Sequence, residues 1–366
     1  MGFEINFIGI PEETKDADAI ALRWEKQNGD QIIGVYDGGN QKYGEALGLF
    51  IEQYLFSKNK KNIDFVVCSH SDMDHSSGLK TILENYKVNK LYMNRPWLYV
   101  DDLFPYIDDG RITKDSLRNR LKSEYSYIET LEKIAKKQGI PIHEAFEGTV
   151  ISNSMIVLSP AKTFYLDLLV ESSKTPLIED SIEQKQTTFS MKKIGTAIES
   201  WYTELLREEV LTTSENEMSV VCLGCDCNDT PDKNTFLLTG DAGIRALTNS
   251  ILFAQREGFS IKDKVDFIQI PHHGGRHNIS PSLLNHLVGK IIPENASPSK
   301  TGFCSVGKNS NHPLQMVINA FARRGVKVYK TDGCSICHHV NIGFHRPGWS
   351  PIVHESFNKT VEAWEE

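Results

Sequence analysis

No apolar run in this 366-residue sequence approaches the roughly 18 residues that a membrane-spanning helix needs. The start, MGFEINFIGIPEETKDADAI, has no basic segment ahead of an apolar stretch. No membrane partner and a cytoplasmic location are therefore expected. There is no internal repeat and no low-complexity tract. Basic residues are outnumbered, 40 Lys and Arg against 48 Asp and Glu, which leaves a formal charge of −8. Tight, sequence-blind coating of nucleic acid needs a strongly basic face and is disfavoured, whereas a local basic groove is compatible with the count. With 40% hydrophobic and 9% aromatic residues, the chain is too apolar to be disordered throughout.

The cysteines number seven, an odd count scattered over a long chain, so a disulfide framework is not expected. Two clusters, Cys222-Leu-Gly-Cys225-Asp-Cys227 and Cys334-Ser-Ile-Cys337-His338-His339, have the spacing of a structural zinc site, and the second also spells a haem attachment pattern. The first cluster continues the apolar run Met218-Ser-Val-Val-Cys-Leu. On an extended strand, positions 222 and 225 face opposite ways and cannot hold one ion without a knuckle. Small buried hydrophobes are the better account of these residues.

Hydrophobic periodicity predicts strands over residues 5–10, 19–24 and 31–36, then a helix over 43–56. The run 63–68 is apolar enough for a strand buried on both faces. A helix over 79–86 and a strand over 90–94 follow. Residues 97–139 read as mostly helical, with an amphipathic stretch at 125–137. After strands at 148–151 and 155–158, residues 161–213 read as helical and charged. Strands are then expected at 219–223, 235–239, 265–270, 290–292 and 326–330, with helices at 242–257, 281–287 and 313–324. This order fits packed sheets with helices outside and does not fit a simple alternating βαβ chain.

The chemistry concentrates in His70-x-Asp72-x-Asp74-His75, within a loop rich in Ser and Gly between the buried strand and a helix. Two imidazoles and two carboxylates within six residues supply nitrogen and oxygen ligands for one or two divalent cations. Alternation along an extended loop would put positions 70, 72 and 74 on one side and 75 on the other. Two later segments share the layout. Phe236-Leu-Leu-Thr-Gly240-Asp241 ends an apolar run with a carboxylate, and Phe267-Ile-Gln-Ile-Pro271-His272-His273-Gly274 ends one with a His pair. Taken singly, such an Asp is often a helix cap and such a His a structural donor. Three strand-end clusters of His and Asp in one chain point to a shared centre.

In these motifs the sequence resembles the metallo-β-lactamase superfamily. More narrowly it is similar to the ComEC-type soluble hydrolase domain and its stand-alone relatives. The matching segments are H-x-D-x-D-H, Asn216-Glu-Met-Ser219, Leu237-Leu-Thr-Gly-Asp-Ala242 and the P-H-H-G turn. Ser305-Val-Gly-Lys-Asn-Ser-Asn-His312-Pro313 and Tyr329-Lys-Thr-Asp332-Gly also match. The resemblance implies an α/β protein with the αββα sandwich of that fold, one domain over 1–366 with helical insertions at 97–139 and 161–213. It implies that Asp37 supports the metal loop from behind and that Asp241 bridges two ions. His70 and Asp72 would complete one ion's set; Asp74, His75 and His273 (less so His272) would complete the other's. Asp74 would also orient the attacking water.

Two departures matter. Asp72 stands where most members carry His, and the middle His is missing, with Asn216 near its place. Three carboxylates and a bridging hydroxide balance two divalent cations, where a His at position 72 would leave an excess of one positive charge. A neutralised, oxygen-rich site favours Mn²⁺, with Zn²⁺ the alternative and a weaker ion on the Asn216 side. Lys308 and His312, together with Arg276, are candidates to bind a phosphate or leaving group.

The resemblance implies a nuclease acting on nucleic-acid phosphodiesters. A small-molecule hydrolase (lactone, thioester or nucleotide) and a metal protein acting through a partner interface are the alternatives. The segment from His75 to Asn216 is longer than the fold needs. Residues 111–139 carry eight basic and four acidic side chains, suited to a phosphate backbone. Residues 161–213 carry six and nine, better suited to a protein partner. A solvated helix face explains either equally well.

Overall fold

A computed structural model describes residues 2–25, 28–107, 111–175, 195–225, 235–343 and 346–364. Two seven-stranded sheets form its centre. The first runs, in spatial order, Ile336–Val340, Gly2–Phe7, Ala19–Glu25, Gln31–Gly38, Phe65–Val67, Leu91–Tyr92 and Ile142–His143. The second runs Val326–Lys330, Lys300–Cys304, Val265–Gln269, Thr235–Leu238, Val221–Cys225, Met155–Ser159 and Val150–Ile151. Each sheet is antiparallel over one part and parallel over the other.

Alternation along the strands makes three apolar layers. Phe3, Phe7, Trp24 and Phe65 of the first sheet meet Val157, Cys222, Phe236, Phe267 and Phe303 of the second. The outer face of the first sheet is covered by helices Gln41–Phe50, Leu79–Asn85 and Ser126–Gln138, through Leu47, Ile82 and Leu131. Helices Ile244–Arg256, Pro281–Leu287 and Gln315–Arg323 cover the second, through Leu247, Leu284 and Phe321. The result is the expected αββα sandwich. Among the described residues no helix is long and apolar enough to cross a membrane.

Several local expectations need correction. Residues 290–292 are irregular, and the strand instead falls at Lys300–Cys304. Gly289 and Pro293 leave only a short stretch at 290–292, and its Ile292 N–H bonds to the Arg323 carbonyl. The sequence pattern also missed Ile336–Val340, whose two histidines disguise a strand pairing with Gly2–Phe7. The helix expected over 43–56 is α-helical over Gln41–Phe50 and continues as a π-turn, Ile51–Leu55.

Residues 161–213 are not helical throughout. Helix Lys162–Glu171 gives way, beyond the undescribed 176–194, to strand Thr196–Ile198 and irregular chain. That chain is held by buried ion pairs, Glu199 with Arg323 and Glu204 with Arg324, both at 2.9 Å. In 97–139, helices Lys114–Glu124 and Ser126–Gln138 carry most of the positive charge, with 108–110 outside the described residues. Lys114, Arg118, Lys133 and Lys136 each pair with a nearby acid, so much of that charge is already met within the chain. Cys222 is buried and Cys334 exposed, while Cys227 and the Cys225 side chain lie outside the described residues.

Candidate metal centre

The candidate residues gather where parallel strands of both sheets end, the usual place for a ligand in such sheets. Strand Phe65–Val67 is wholly buried, and the chain leaves it through Cys68, Ser69 and His70. Asp37, at the end of Gln31–Gly38, catches this exit. Its Oδ1 accepts from the Ser69 N–H at 2.7 Å, and its Oδ2 from the Ser69 hydroxyl at 2.6 Å. The chain then turns into a short helix, Met73–Ser76, instead of remaining extended. The Ser76 N–H and hydroxyl both donate to the Asp72 carbonyl, and that turn carries Asp74 and His75 to one side. Gly78 lets the loop press on its neighbour: a Cβ there would lie 2.0 Å from the Gly38 carbonyl oxygen.

Each histidine is aimed from behind. His75 Nδ1 lies 2.9 Å from Asp37 Oδ2, which directs Nε2 to within 3.1 Å of Asp241 Oδ1. His273 Nδ1 donates to the Ser305 carbonyl at 2.8 Å and leaves Nε2 3.4 Å from Asp74 Oδ2. His70 Nδ1 sits against the hydroxyls of Ser69 and Ser219, and its Nε2 faces Asp72 Oδ2 at 3.8 Å and Asp241 Oδ2 at 3.9 Å. Carbonyl, hydroxyl or carboxylate partners of this kind fix both the orientation and the tautomer of a metal-binding imidazole.

Asp241 is the centre of the arrangement. It is buried at the end of Thr235–Leu238, with its N–H held by Ser219 Oγ. Oδ1 faces His75, while Oδ2 faces His70 and lies 2.6 Å from His272 Nδ1. The adjacent His272 and His273 therefore serve different sides of the cluster. Both have positive φ, 49° and 54°, an uncommon backbone state for residues other than glycine. Asn216 points its amide at His272 Nδ1 and at Thr212 Oγ1, so it reaches Asp241 through His272.

Asp18 has no motif to announce it, yet it belongs to the cluster. Asp18, His75, Asp241 and His273 each bring a ligand atom into a set within 4.8 Å of one another, all four residues buried. The Asp18 N–H donates to the Asp74 carbonyl at 3.0 Å. Strand pairing puts Ala19 opposite Gly38, and so delivers Asp18 beside Asp37 and His75.

Charge in the cluster is strongly coupled. Burial works against ionisation of Asp241, but His75 and His272 outweigh it and hold its carboxyl well below the usual range. Burial likewise disfavours charged His75, and Asp241, Asp74 and Asp37 override it and raise the imidazole. His273 is carried to about 10 despite burial, by Asp74, Asp18 and Asp241. Burial and His75 keep His70 below its ordinary value, against the pull of Asp72 and Asp241. Asp18 is raised, burial prevailing over His273 and His75.

The donor set fits a divalent cation. His70 Nε2, His75 Nε2, Asp241 Oδ1 and Asp18 Oδ1 are buried and make no hydrogen bond. Orphaned polar atoms of this kind normally carry a cost, which convergence on a cation removes. Imidazole nitrogens with carboxylate oxygens suit zinc or manganese.

The remaining candidates lie around this centre. His312 Nδ1 is 2.9 Å from Asp16 Oδ2, and the adjoining Pro313 packs against Gly274 of the His turn. Lys308 is engaged by Asp332 and donates its N–H to the Glu13 carbonyl. Arg276 donates to the Ala363 carbonyl and stacks over Trp364. From the second insertion, Lys174 reaches Asp72 Oδ1 at 2.9 Å.

The fold and these residues define an αββα protein with a His/Asp centre suited to divalent metal. Solved structures similar to it include a long-form RNase Z from yeast, with 12% identity and a TM-score of 0.37 over 91% of this chain. The chain spans 41% of that enzyme's length. An archaeal metallo-β-lactamase superfamily protein from Sulfolobus tokodaii is 14% identical, covering 76% of this chain and 83% of its own, with a TM-score of 0.28. A hydrolase of the β-lactamase superfamily, AbOPH, is 13% identical over 43% of this chain and 62% of its own, with a TM-score of 0.23. No protein-family profile matches the chain, and no curated protein does.

Proposed function

We propose that this protein is a metal-dependent hydrolase of the metallo-β-lactamase type that cleaves nucleic-acid phosphodiester bonds, with two divalent ions, Mn²⁺ or Zn²⁺, at Asp241. The observation that carries the metal assignment is the division of Asp241. Its Oδ1 faces His75, which lies beside Asp18 and Asp74, and its Oδ2 faces His272 and His70, the latter also 3.8 Å from Asp72. Divalent cations held there would supply a water that ionises near neutral pH and would stabilise the developing negative charge.

The chain's own residues do the rest. Asp37 and the Ser305 carbonyl keep the Nε2 atoms of His75 and His273 directed inward. Asp74, about a third exposed and 3.4 Å from His273, is the carboxylate that would orient the attacking water. His272 takes the position facing Asp241 Oδ2 that the resemblance gave to the Asn216 side, with Asn216 beside it. The sequence motifs quoted above support a phosphodiester over a lactone or thioester.

The test is hydrolysis of linear duplex DNA, single-stranded DNA, RNA and a generic phosphodiester with Mn²⁺, Zn²⁺ or Mg²⁺, beside a lactone and a thioester. Wild type should cut a polynucleotide, and Asp74→Ala and Asp241→Ala should lower the rate by about a thousandfold or more. Cleavage of the lactone or thioester, with no polynucleotide cut under any metal, would overturn the nuclease assignment.

A further inference from the structure

Lys174 belongs to no motif and lies in the insertion whose charge looked suited to a protein partner. Its Nζ lies 2.9 Å from Asp72 Oδ1 and 3.3 Å from Ser71 Oγ, so it reaches into the metal loop itself. The opposite carboxylate oxygen, Asp72 Oδ2, faces His70. Asp72 therefore presents one oxygen to the centre and the other to an ammonium.

The position is built by both insertions. Ser172 Oγ accepts the Lys174 N–H at 3.1 Å, meets the Tyr125 hydroxyl at 3.0 Å and donates to Glu215 at 2.5 Å. Tyr125 comes from the first insertion, and Glu215 precedes Asn216. The Tyr125 ring lies 5.6 Å from the Lys174 ammonium, which is about a third exposed. Burial leads the balance on Asp72, but His70 and Lys174 outweigh it and keep the carboxyl low.

Lys174 changes the charge count at the centre. Asp72 in place of the usual histidine removes one positive charge from a two-cation site, and Lys174 returns it. An ammonium has three N–H donors, and Asp72 and Ser71 engage two of them.

Resting on the proposed phosphodiester chemistry, we propose that Lys174 is a substrate-positioning residue that binds a non-bridging phosphate oxygen beside Asp72. The second insertion thus supplies a substrate contact at the metal loop. The experiment compares wild type, Lys174→Met and Lys174→Arg in the full-length, metal-loaded protein. Steady-state kinetics on bis(p-nitrophenyl) phosphate, an anionic diester, are set against p-nitrophenyl acetate, a neutral ester. Mn²⁺ affinity is measured by calorimetry and folding by thermal melting.

Lys174→Met should raise KM for the diester by about 10- to 100-fold, the size of a lost charge-assisted hydrogen bond. It should leave the neutral ester within twofold, or equally inert, and should not weaken Mn²⁺ binding. Lys174→Arg should recover most of the loss. Equal losses on both esters, an unchanged diester KM, or Mn²⁺ binding weakened more than tenfold would each overturn the proposal. A variant that fails to melt cooperatively hands the decision to Lys174→Arg against Lys174→Gln, with the same outcomes. A wild-type protein inert towards every phosphodiester would instead sink the proposed function, a result separable from failure of Lys174 alone.

Discussion

Replacing Asp37 by Asn tests how the centre is aimed. Asp37 has φ of 57°, a conformation that Asn also accepts, so the change brings no backbone penalty of its own. The carboxylate accepts three bonds of 2.6 to 2.9 Å, from the Ser69 N–H, the Ser69 hydroxyl and His75 Nδ1. An Asn can keep its carbonyl oxygen on the Ser69 N–H, and the Ser69 hydroxyl can reverse. His75 cannot keep its proton on Nδ1, because it now meets an amide donor. When a cation displaces the extra proton of the free imidazole, the remaining one is driven to Nε2, which faces Asp241 Oδ1 at 3.1 Å, and there it competes with the cation.

Restoring the binding tautomer leaves two donors opposed, at about 1–3 kcal/mol. The expected result is a 10- to 100-fold weaker affinity for Mn²⁺ or Zn²⁺ by calorimetry, about 1.4–2.8 kcal/mol, with cooperative melting preserved. Affinity within twofold of wild type would refute this account of Asp37.

The buried pair between Arg323 and Glu199 should be strongly stabilising to keep: Glu199→Gln leaves a fully buried guanidinium short of its counter-charge. Carbonyls of Ser200, Trp201 and Thr203 soften the loss, so about 3 kcal/mol is expected in urea melts, and less than 1 would contradict it. His338, packed on Phe267 with rings 4.8 Å apart, is drawn down to about 4 by burial and by His339. Below the ordinary 6.5 the unfolded chain takes a proton that the folded chain refuses. Stability should thus fall between pH 6.5 and 4, by up to about 3 kcal/mol from this residue, and no further below. Melts of His338→Phe should lose that component, and identical pH slopes in the two proteins would rule it out.

What the sequence made legible follows from what is local in it. The strand ends at His70, Asp241 and His273 stood out because apolar runs stop at a carboxylate or an imidazole; packed sheets with outer helices followed from the order of elements, and the αββα sandwich from the resemblance. Asp18 was invisible because it enters the cluster only through pairing of Ala19 with Gly38, across a turn that no motif marks. His273 was favoured over His272 as a ligand, but that the adjacent pair serves two sides of the cluster depends on two successive positive φ values that no motif marks. Lys174 was hidden for a third reason: its partner Asp72 is about a hundred residues away, and only the packing of Ser172 against Tyr125 and Glu215 brings them together. Strand Lys300–Cys304 lacks an alternating pattern of its own and is specified by parallel neighbours on both sides.

The central claim is that Asp241 joins two cation positions. Crystals grown with Mn²⁺ and measured for anomalous scattering test it directly. Two peaks are expected within about 2.5 Å of this carboxylate, one at Oδ1 on the His75 side and one at Oδ2 on the side of His70 and His272. A map with no peak bound to Asp241, or with manganese held elsewhere in the molecule, would contradict it.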